Sequence, residues 1–200
     1  TEEEVDATFD CLREEPDDFL SGNDTFKPPQ DATIPKSVNW RTKGLVSPNL
    51  MDCSTRYGNH GCKGGNVRKA FTYVIENKGI DSDKFYPYKA KEGKCRYSVK
   101  GKAGYCRKYR VLPQGDEKAL KKAVATVGPV SVSIYSKLPS FRFYKRGIYH
   151  DPKCTLKPSH AVLVVGYGTK RGKDYWLVKN SWGTGWGKNG YVRMARNKKN

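Results

Sequence analysis

The sequence predicts an α+β protein, with helices in its first part and one helix packed on an antiparallel, barrel-like sheet in its second. Three observations predict it. Apolar residues recur at helical spacing after Gly64-Gly65 and again after Asp116. The period then changes to two at Val130, and three further short apolar runs follow, separated by glycine-rich turns. A chain of 200 residues with 36% hydrophobic content can fill one domain or two small lobes sharing a cleft.

Residues 1–32 hold eleven acids and two bases and little apolar pattern, and read as an extended tail. The composition changes at Phe26-Lys27-Pro28-Pro29-Gln30, and a more compact text begins with Ile34-Pro35-Lys36-Ser37-Val38-Asn39-Trp40. Val67, Ala70, Phe71, Val74 and Ile75 form one helical stripe, and Gly79 ends that helix. A second helix starts at the N-cap Asp116, turns Leu120, Ala123, Val124 and Val127 inward, and stops at Gly128-Pro129. Val130, Val132 and Ile134 alternate with Ser131, Ser133 and Tyr135, the pattern of a half-buried strand. Ala161–Val165, Tyr175–Val178 and Tyr191–Met194 are three further strands.

Charge and cysteine content exclude several classes. Residues 33–200 hold nine acids and thirty-six bases, a basic body that attracts polyanions at low salt, unless its lysines are simply solvated or covered by the chain's own acidic head. No zinc, helix-turn-helix or RNA-recognition signature turns that charge into specific nucleic-acid binding. The longest fully apolar run, Ala161–Val165, is far short of the ~20 residues of a membrane helix. The chain opens Thr1-Glu2-Glu3-Glu4 without a Met or signal-peptide pattern and reads as a piece of something longer. Six cysteines suit an oxidising compartment, and none has zinc-ligand spacing, so no metal or other cofactor is expected. Asn23-Asp24-Thr25 is a glycosylation acceptor sequence.

Three stretches carry chemistry. Ser159-His160-Ala161 heads an apolar strand that ends Val165-Gly166-Tyr167-Gly168. Twenty residues on comes Lys179-Asn180-Ser181-Trp182-Gly183-Thr184-Gly185-Trp186-Gly187. Gly61-Cys62-Lys63-Gly64-Gly65 precedes the first helix. Each alone could be structural: a satisfied core histidine, packing at tight turns, a disulfide beside a turn. Together, and with Asp52-Cys53-Ser54, Gly79-Ile80-Asp81-Ser82, Tyr86-Pro87-Tyr88 and Gly128-Pro129-Val130-Ser131-Val132 in the same order, they resemble the papain family of cysteine peptidases, in its cathepsin K and cathepsin S branch.

The resemblance implies a papain-like two-lobe fold. Residues 1–32 would be a propeptide remnant, 33–102 an incomplete helical lobe, and 103–200 the barrel-like lobe. It implies His160 and Asn180 as catalytic residues, with Trp182 shielding their hydrogen bond. Gly64 and Gly65 would bond the substrate backbone, since only a residue without a side chain admits an extended peptide so closely. Val67 and Ala161 would line the side-chain pocket. Peptide or protein substrates, cystatin-type inhibitors and a lysosomal or extracellular location are implied too. Sulfated glycosaminoglycans join the partners through the basic charge.

One departure bears on mechanism. The family's nucleophile is the second Cys of C-G-[SA]-C-[WY], and this chain has no such segment. Gly44-Leu45-Val46-Ser47-Pro48 runs directly into Asn49-Leu50-Met51-Asp52-Cys53. His160 lies 112 positions after Pro48, whereas about 130–150 separate nucleophile and His in the family, with a lead-in besides. Roughly three dozen residues are missing by that measure, among them the nucleophile, the oxyanion Gln and the central helix. The resemblance leaves Cys53–Cys95 as the one family disulfide with both partners present, because Cys62 loses its partner with that segment and Cys154 pairs in the family beyond Asn200. The expectation is an inactive peptidase by descent, with a non-catalytic binder of inhibitors, peptides or sulfated glycans as the alternative.

Overall fold

The computed structural model describes residues 34–39, 49–89 and 91–198. In chain order its strands and α-helices are β1 (Val38–Asn39), α1 (Asn49–Cys53), α2 (Val67–Glu76), β2 (Ile80–Asp81), β3 (Lys102–Gly104), α3 (Glu117–Thr126), β4 (Val130–Ile134), α4 (Pro139–Arg142), β5 (His160–Lys170), β6 (Lys173–Lys179) and β7 (Tyr191–Ala195). They fall into two compact units, one of residues 49–109 and one of residues 34–39 with 110–198. The division comes after the expected 102/103 boundary. β3 pairs antiparallel with β2, and Tyr109 stacks on Phe71 at 5.7 Å, so the chain stays in the first unit through Tyr109. The propeptide-like tail with Cys11 and Asn23 lies outside the described residues.

The 49–109 unit is small. Cys53, Tyr73, Val74 and Tyr86 form its buried core, edged by Leu50, Tyr57, Ile80, Tyr97 and Cys106. A disulfide joins Cys53 to Cys95. α2 begins at the N-cap Asn66, whose side chain accepts from the Arg68 amide at 2.8 Å, and its chain turns away at Lys78-Gly79. Of the expected stripe only Val74 is buried; Val67, Ala70, Phe71 and Ile75 stay half-buried. The deepest residue of α2 is Tyr73, 1% exposed, whose hydroxyl donates to Asn49 Oδ1 at 2.8 Å. A tyrosine can be buried fully only with its hydroxyl satisfied, and Asn49 satisfies it.

The larger unit is built on β5. One edge of β5 takes β4 along residues 160–164 and β1 at residues 166–167; β6 pairs along the other edge and β7 follows β6. The strand pairs are antiparallel, with one isolated parallel bridge between Tyr149 and Met194, and among the described residues the sheet does not close, so the barrel-like expectation is met by an open antiparallel sheet. β5 runs to Lys170, well past the expected Val165, because its glycine-rich second half still pairs with β6. α3 is capped as expected, the Asp116 carboxylate accepting from the Ala119 amide at 2.8 Å. Its inward residues are Ala123 and Val124, with Leu120 half-buried. Val127 departs from expectation: the helix ends at Thr126, and Val127, in the cap position, is 70% exposed. Val124, Phe141, Tyr144, Tyr149, Val162, Val164, Tyr167, Trp176, Val178 and Val192 make the core between helices and sheet.

Candidate active site

His160 is the first residue of β5 and Asn180 the first after β6, two neighbouring strands, which places the two side chains side by side. Both are buried, at 2% and 5% exposure. His160 Nε2 lies 2.8 Å from Asn180 Oδ1. The same oxygen accepts the backbone N–H of Ser181 at 2.7 Å. A backbone amide can only donate, so the atom facing it must be the carbonyl oxygen, and His160 Nε2 must carry its proton. The neutral ring then holds its lone pair on Nδ1, the form suited to taking a proton from a nucleophile. Asn180 Nδ2 is buried without a hydrogen-bond partner among the described residues.

Aromatic rings wall this pair. The Trp182 ring centroid lies 5.0 Å from that of His160, tilted by 33°. Trp182 meets Phe141 and Trp186 edge-on at 5.6 and 5.3 Å. Trp186 Nε1 donates to the Arg142 carbonyl at 2.8 Å, which ties the glycine-rich loop to α4. The strand start is clamped as well. Ser159 N donates to the Ile134 carbonyl, and the Ser159 hydroxyl accepts from the Ser136 amide at 3.0 Å. Ser136 and Phe141 have no sequence signal: a hydroxyl residue flanking a strand and one phenylalanine in a short helix leave no periodic pattern, and Ser159 is marked in the sequence only by its place beside His160. Ala161 follows His160 on β5, half-buried, opposite Ser133.

Gly64, Gly65 and Val67 belong to the other unit, where they lead into α2. Gly64 closes the short turn Gly61–Lys63 at φ 102°, a conformation that favours glycine. A Cβ on Gly65 would come within 2.5 Å of Asn59 Oδ1, which itself accepts from the Asn66 amide at 2.7 Å. A side chain at position 65 would have to displace Asn59 from its bond to the Asn66 amide, a packing reason for glycine that the motif does not state.

The family signature described as "Papain family cysteine protease" matches residues 36–200. The chain belongs to the papain family of cysteine proteases. It is 48% identical to cathepsin S of Mus musculus over 214 residues, which cover 88% of this chain and 63% of that protein. It is 42% identical to cathepsin K of Mus musculus over 237 residues, covering all of this chain and 71% of that protein. The solved structure of digestive procathepsin L2 proteinase from Tenebrio molitor larval midgut matches with a TM-score of 0.85 at 35% identity, over 98% of this chain and 76% of that one. The chain therefore spans less than two thirds of the cathepsin S it matches. The comparison with cathepsin K runs over 237 positions against a chain of 200, so at least 37 positions fall where this papain-family chain has no residue. That agrees with the shortened interval between Pro48 and His160.

The cysteines of this papain-family chain follow the same logic. Cys53 and Cys95 are bonded, and among the described residues Cys62, Cys106 and Cys154 are thiols. Burial pushes the Cys106 and Cys154 thiols up, the opposite of an activated nucleophile. Cys62 is exposed, its sulfur 3.3 Å from Met51 Sδ and its amide donating to Glu92. None of the three begins an α-helix. Among the described residues no acidic, His or Cys cluster could hold a metal, and no helix is long and apolar enough to cross a membrane.

Proposed function

We propose that this papain-family chain descends from a cysteine endopeptidase and does not itself hydrolyse peptide bonds. One observation carries the reading: the buried His160–Asn180 pair is formed in the useful tautomer, yet the sequence contains no C-G-[SA]-C-[WY] nucleophile. In the family's reaction a Cys sulfur attacks the peptide carbonyl carbon, the C–N bond breaks, and the imidazolium gives its proton to the leaving amine. Without the sulfur no thioester forms, and a His–Asn pair alone has nothing to deliver. Removing the nucleophile from a comparable serine triad costs about six orders of magnitude in rate. In this reading His160 and Asn180 are the catalytic remnant and Trp182 its shield. Gly64 and Gly65 are assigned the substrate backbone, Val67 and Ala161 the choice of side chain. Residues 1–32 are assigned as a propeptide remnant, and the location as lysosomal or extracellular. A fluorogenic peptide assay with an epoxide-type thiol label tests it. No turnover and no labelling are expected; turnover abolished by the label would refute the reading.

A second reading is favoured by charge. The chain carries a formal +18, concentrated after residue 32. A protease-like body without chemistry can still engage peptides, cystatin-type inhibitors or sulfated glycosaminoglycans through shape and charge. Retention on heparin that weakens steeply with salt is the expected result, and flow-through at low salt counts against it.

A further inference from the structure

Two sulfurs meet in the 49–109 unit, and none of the residues assigned to catalysis or substrate uses them. Cys62 Sγ lies 3.3 Å from Met51 Sδ, and Cys62 is an exposed thiol outside the Cys53–Cys95 disulfide. A thiol is a weak donor and a thioether a weak acceptor, so the contact is an S–H···S hydrogen bond. Both sulfurs stand on anchored backbone. Met51 is in α1, next to Asp52, whose carboxylate accepts from the Tyr86 hydroxyl at 2.7 Å and the Gly93 amide at 2.9 Å. Two residues on, Cys53 is bonded to Cys95. Cys62 lies in the short turn Gly61–Lys63, where its amide donates to Glu92 Oε1 at 2.8 Å and the Lys63 amide to the His60 carbonyl at 2.9 Å. The Glu92 carboxylate is thus held at the backbone of Cys62 and brings a negative charge to the turn.

A thiolate beside a thioether is a soft donor pair, and such ligands select Cu(I) over the hard divalent ions. Calcium and magnesium need six or more oxygens, and structural zinc needs four ligands. Among the described residues no group of three His, Cys, Asp or Glu supplies either set. A low-coordinate monovalent ion makes no such demand, and the Glu92 charge complements a cation at this turn. We propose that Met51 and Cys62 form a binding site for a soft monovalent metal ion of the Cu(I) type. The ion takes the place of the thiol proton. The S–H bond breaks, the proton passes to solvent, and the metal bonds to the Cys62 thiolate and to a lone pair of Met51 Sδ, with no change of oxidation state. Metal–sulfur bonds of about 2.3 Å hold two sulfurs at most about 4.6 Å apart, so the pair opens by little more than about 1 Å, within reach of the exposed Cys62 side chain.

The test uses the full, disulfide-bonded chain and Ag(I) as a redox-inert probe. The chain has two methionines, Met51 and Met194, so carbon-13 NMR of the methionine methyls reads the site directly. Met194, packed on the core of the other unit, is the internal control. Silver should move the Met51 signal and leave Met194 in place, and in Cys62→Ser the Met51 signal should stay still at the same concentration. Alkylation mapped cysteine by cysteine gives the affinity. The silver concentration that half-protects Cys62 should rise about tenfold or more in Met51→Leu, since even outer partners of a metal site are worth about 10–100-fold. Half-protection of Cys106 and Cys154 should not move. Met51→Leu keeps the side-chain volume, and circular dichroism of each variant reports whether it folds. A wild-type Met51 signal that ignores silver would overturn the site whatever the variants do. Equal half-protection of Cys62 in wild type and Met51→Leu would leave an ordinary free thiol and overturn the pair. Protection by Zn(II) at the concentration at which silver acts would overturn the choice of a soft ion.

Discussion

Asn180 decides which nitrogen of His160 holds a proton, because Ser181 N–H decides which way the amide faces. Nitrogen-15 NMR of the neutral ring should therefore show the Nε2–H tautomer. In Asn180→Ala the population should shift toward Nδ1–H, and stability should fall by about 1 kcal/mol for the lost buried hydrogen bond. An unchanged tautomer would mean that something other than Asn180 orients the ring. Tyr73 is the corresponding residue of the smaller unit. Burial, with the nearby Asp81 charge adding to it, pushes its phenol up to about 12 from 10.0. A raised pKa means that the folded state favours the neutral phenol; the stability it contributes is present below pH 10 and is lost as pH rises toward 12. Alkaline unfolding of the 49–109 unit should therefore set in above pH 10, later in Tyr73→Phe than in the wild type, followed by tyrosinate absorbance and far-ultraviolet dichroism. His160, Asn180 and Trp182 were legible only through the order of their motifs, Ser159-His160-Ala161 and Asn180-Ser181-Trp182, whose combination resembles the papain family. Asn59 and Ser136 were not, since a side chain that stitches backbone to backbone leaves no pattern along the chain.

Helices and strands show where periodicity suffices and where it fails. The α3 stripe and its Asp116 cap were readable, yet Val127 lay one residue past the point where the helix stops, and a period cannot mark its own end. The alternation of β4 was readable too, whereas β5 outran its apolar run because pairing with β6 continues through Gly166 and Gly168. The end of β7 is held by a polar clasp that no pattern announces. Arg196 is buried over Tyr167 and Trp176 and reaches Asp174 at 3.4 Å, while Glu117 of α3 accepts from Trp176 Nε1 at 2.8 Å and the Asn197 amide at 2.7 Å. The Thr169 hydroxyl, and after it the Arg196 charge, hold the Asp174 carboxyl below its usual value. A depressed pKa stabilises the fold above the ordinary aspartate value, and that contribution disappears as pH falls through the folded pKa. Asp174→Asn should lower the melting temperature at pH 7 and narrow the gap to wild type at about pH 3. Equal losses at both pH values would show that its charge contributes nothing.

At the scale of the molecule the two units hold unequal cores, four buried apolar side chains against ten. A buried side chain of this size contributes about 1.5–3 kcal/mol, so the 49–109 unit leans on its disulfide. Cys53 and Cys95 are 42 residues apart, and closing a loop of that length is worth about 4 kcal/mol in the chain-entropy account. Reduction should accordingly open residues 67–77 to hydrogen exchange while 130–134 and 160–168 stay slow. Protection lost equally in both regions would mean that the units unfold as one.

The burial of His160 and Asn180 has an evolutionary consequence. His160 opens β5 and Asn180 follows β6, both buried and bonded to each other, so a substitution at either is opposed by folding whether or not a peptide bond is ever cut. Selection on stability alone would preserve them long after selection on chemistry had ceased. A lineage that had lost its nucleophile would keep the histidine and the asparagine in register, and their persistence in any descendant would date the fold, not the reaction.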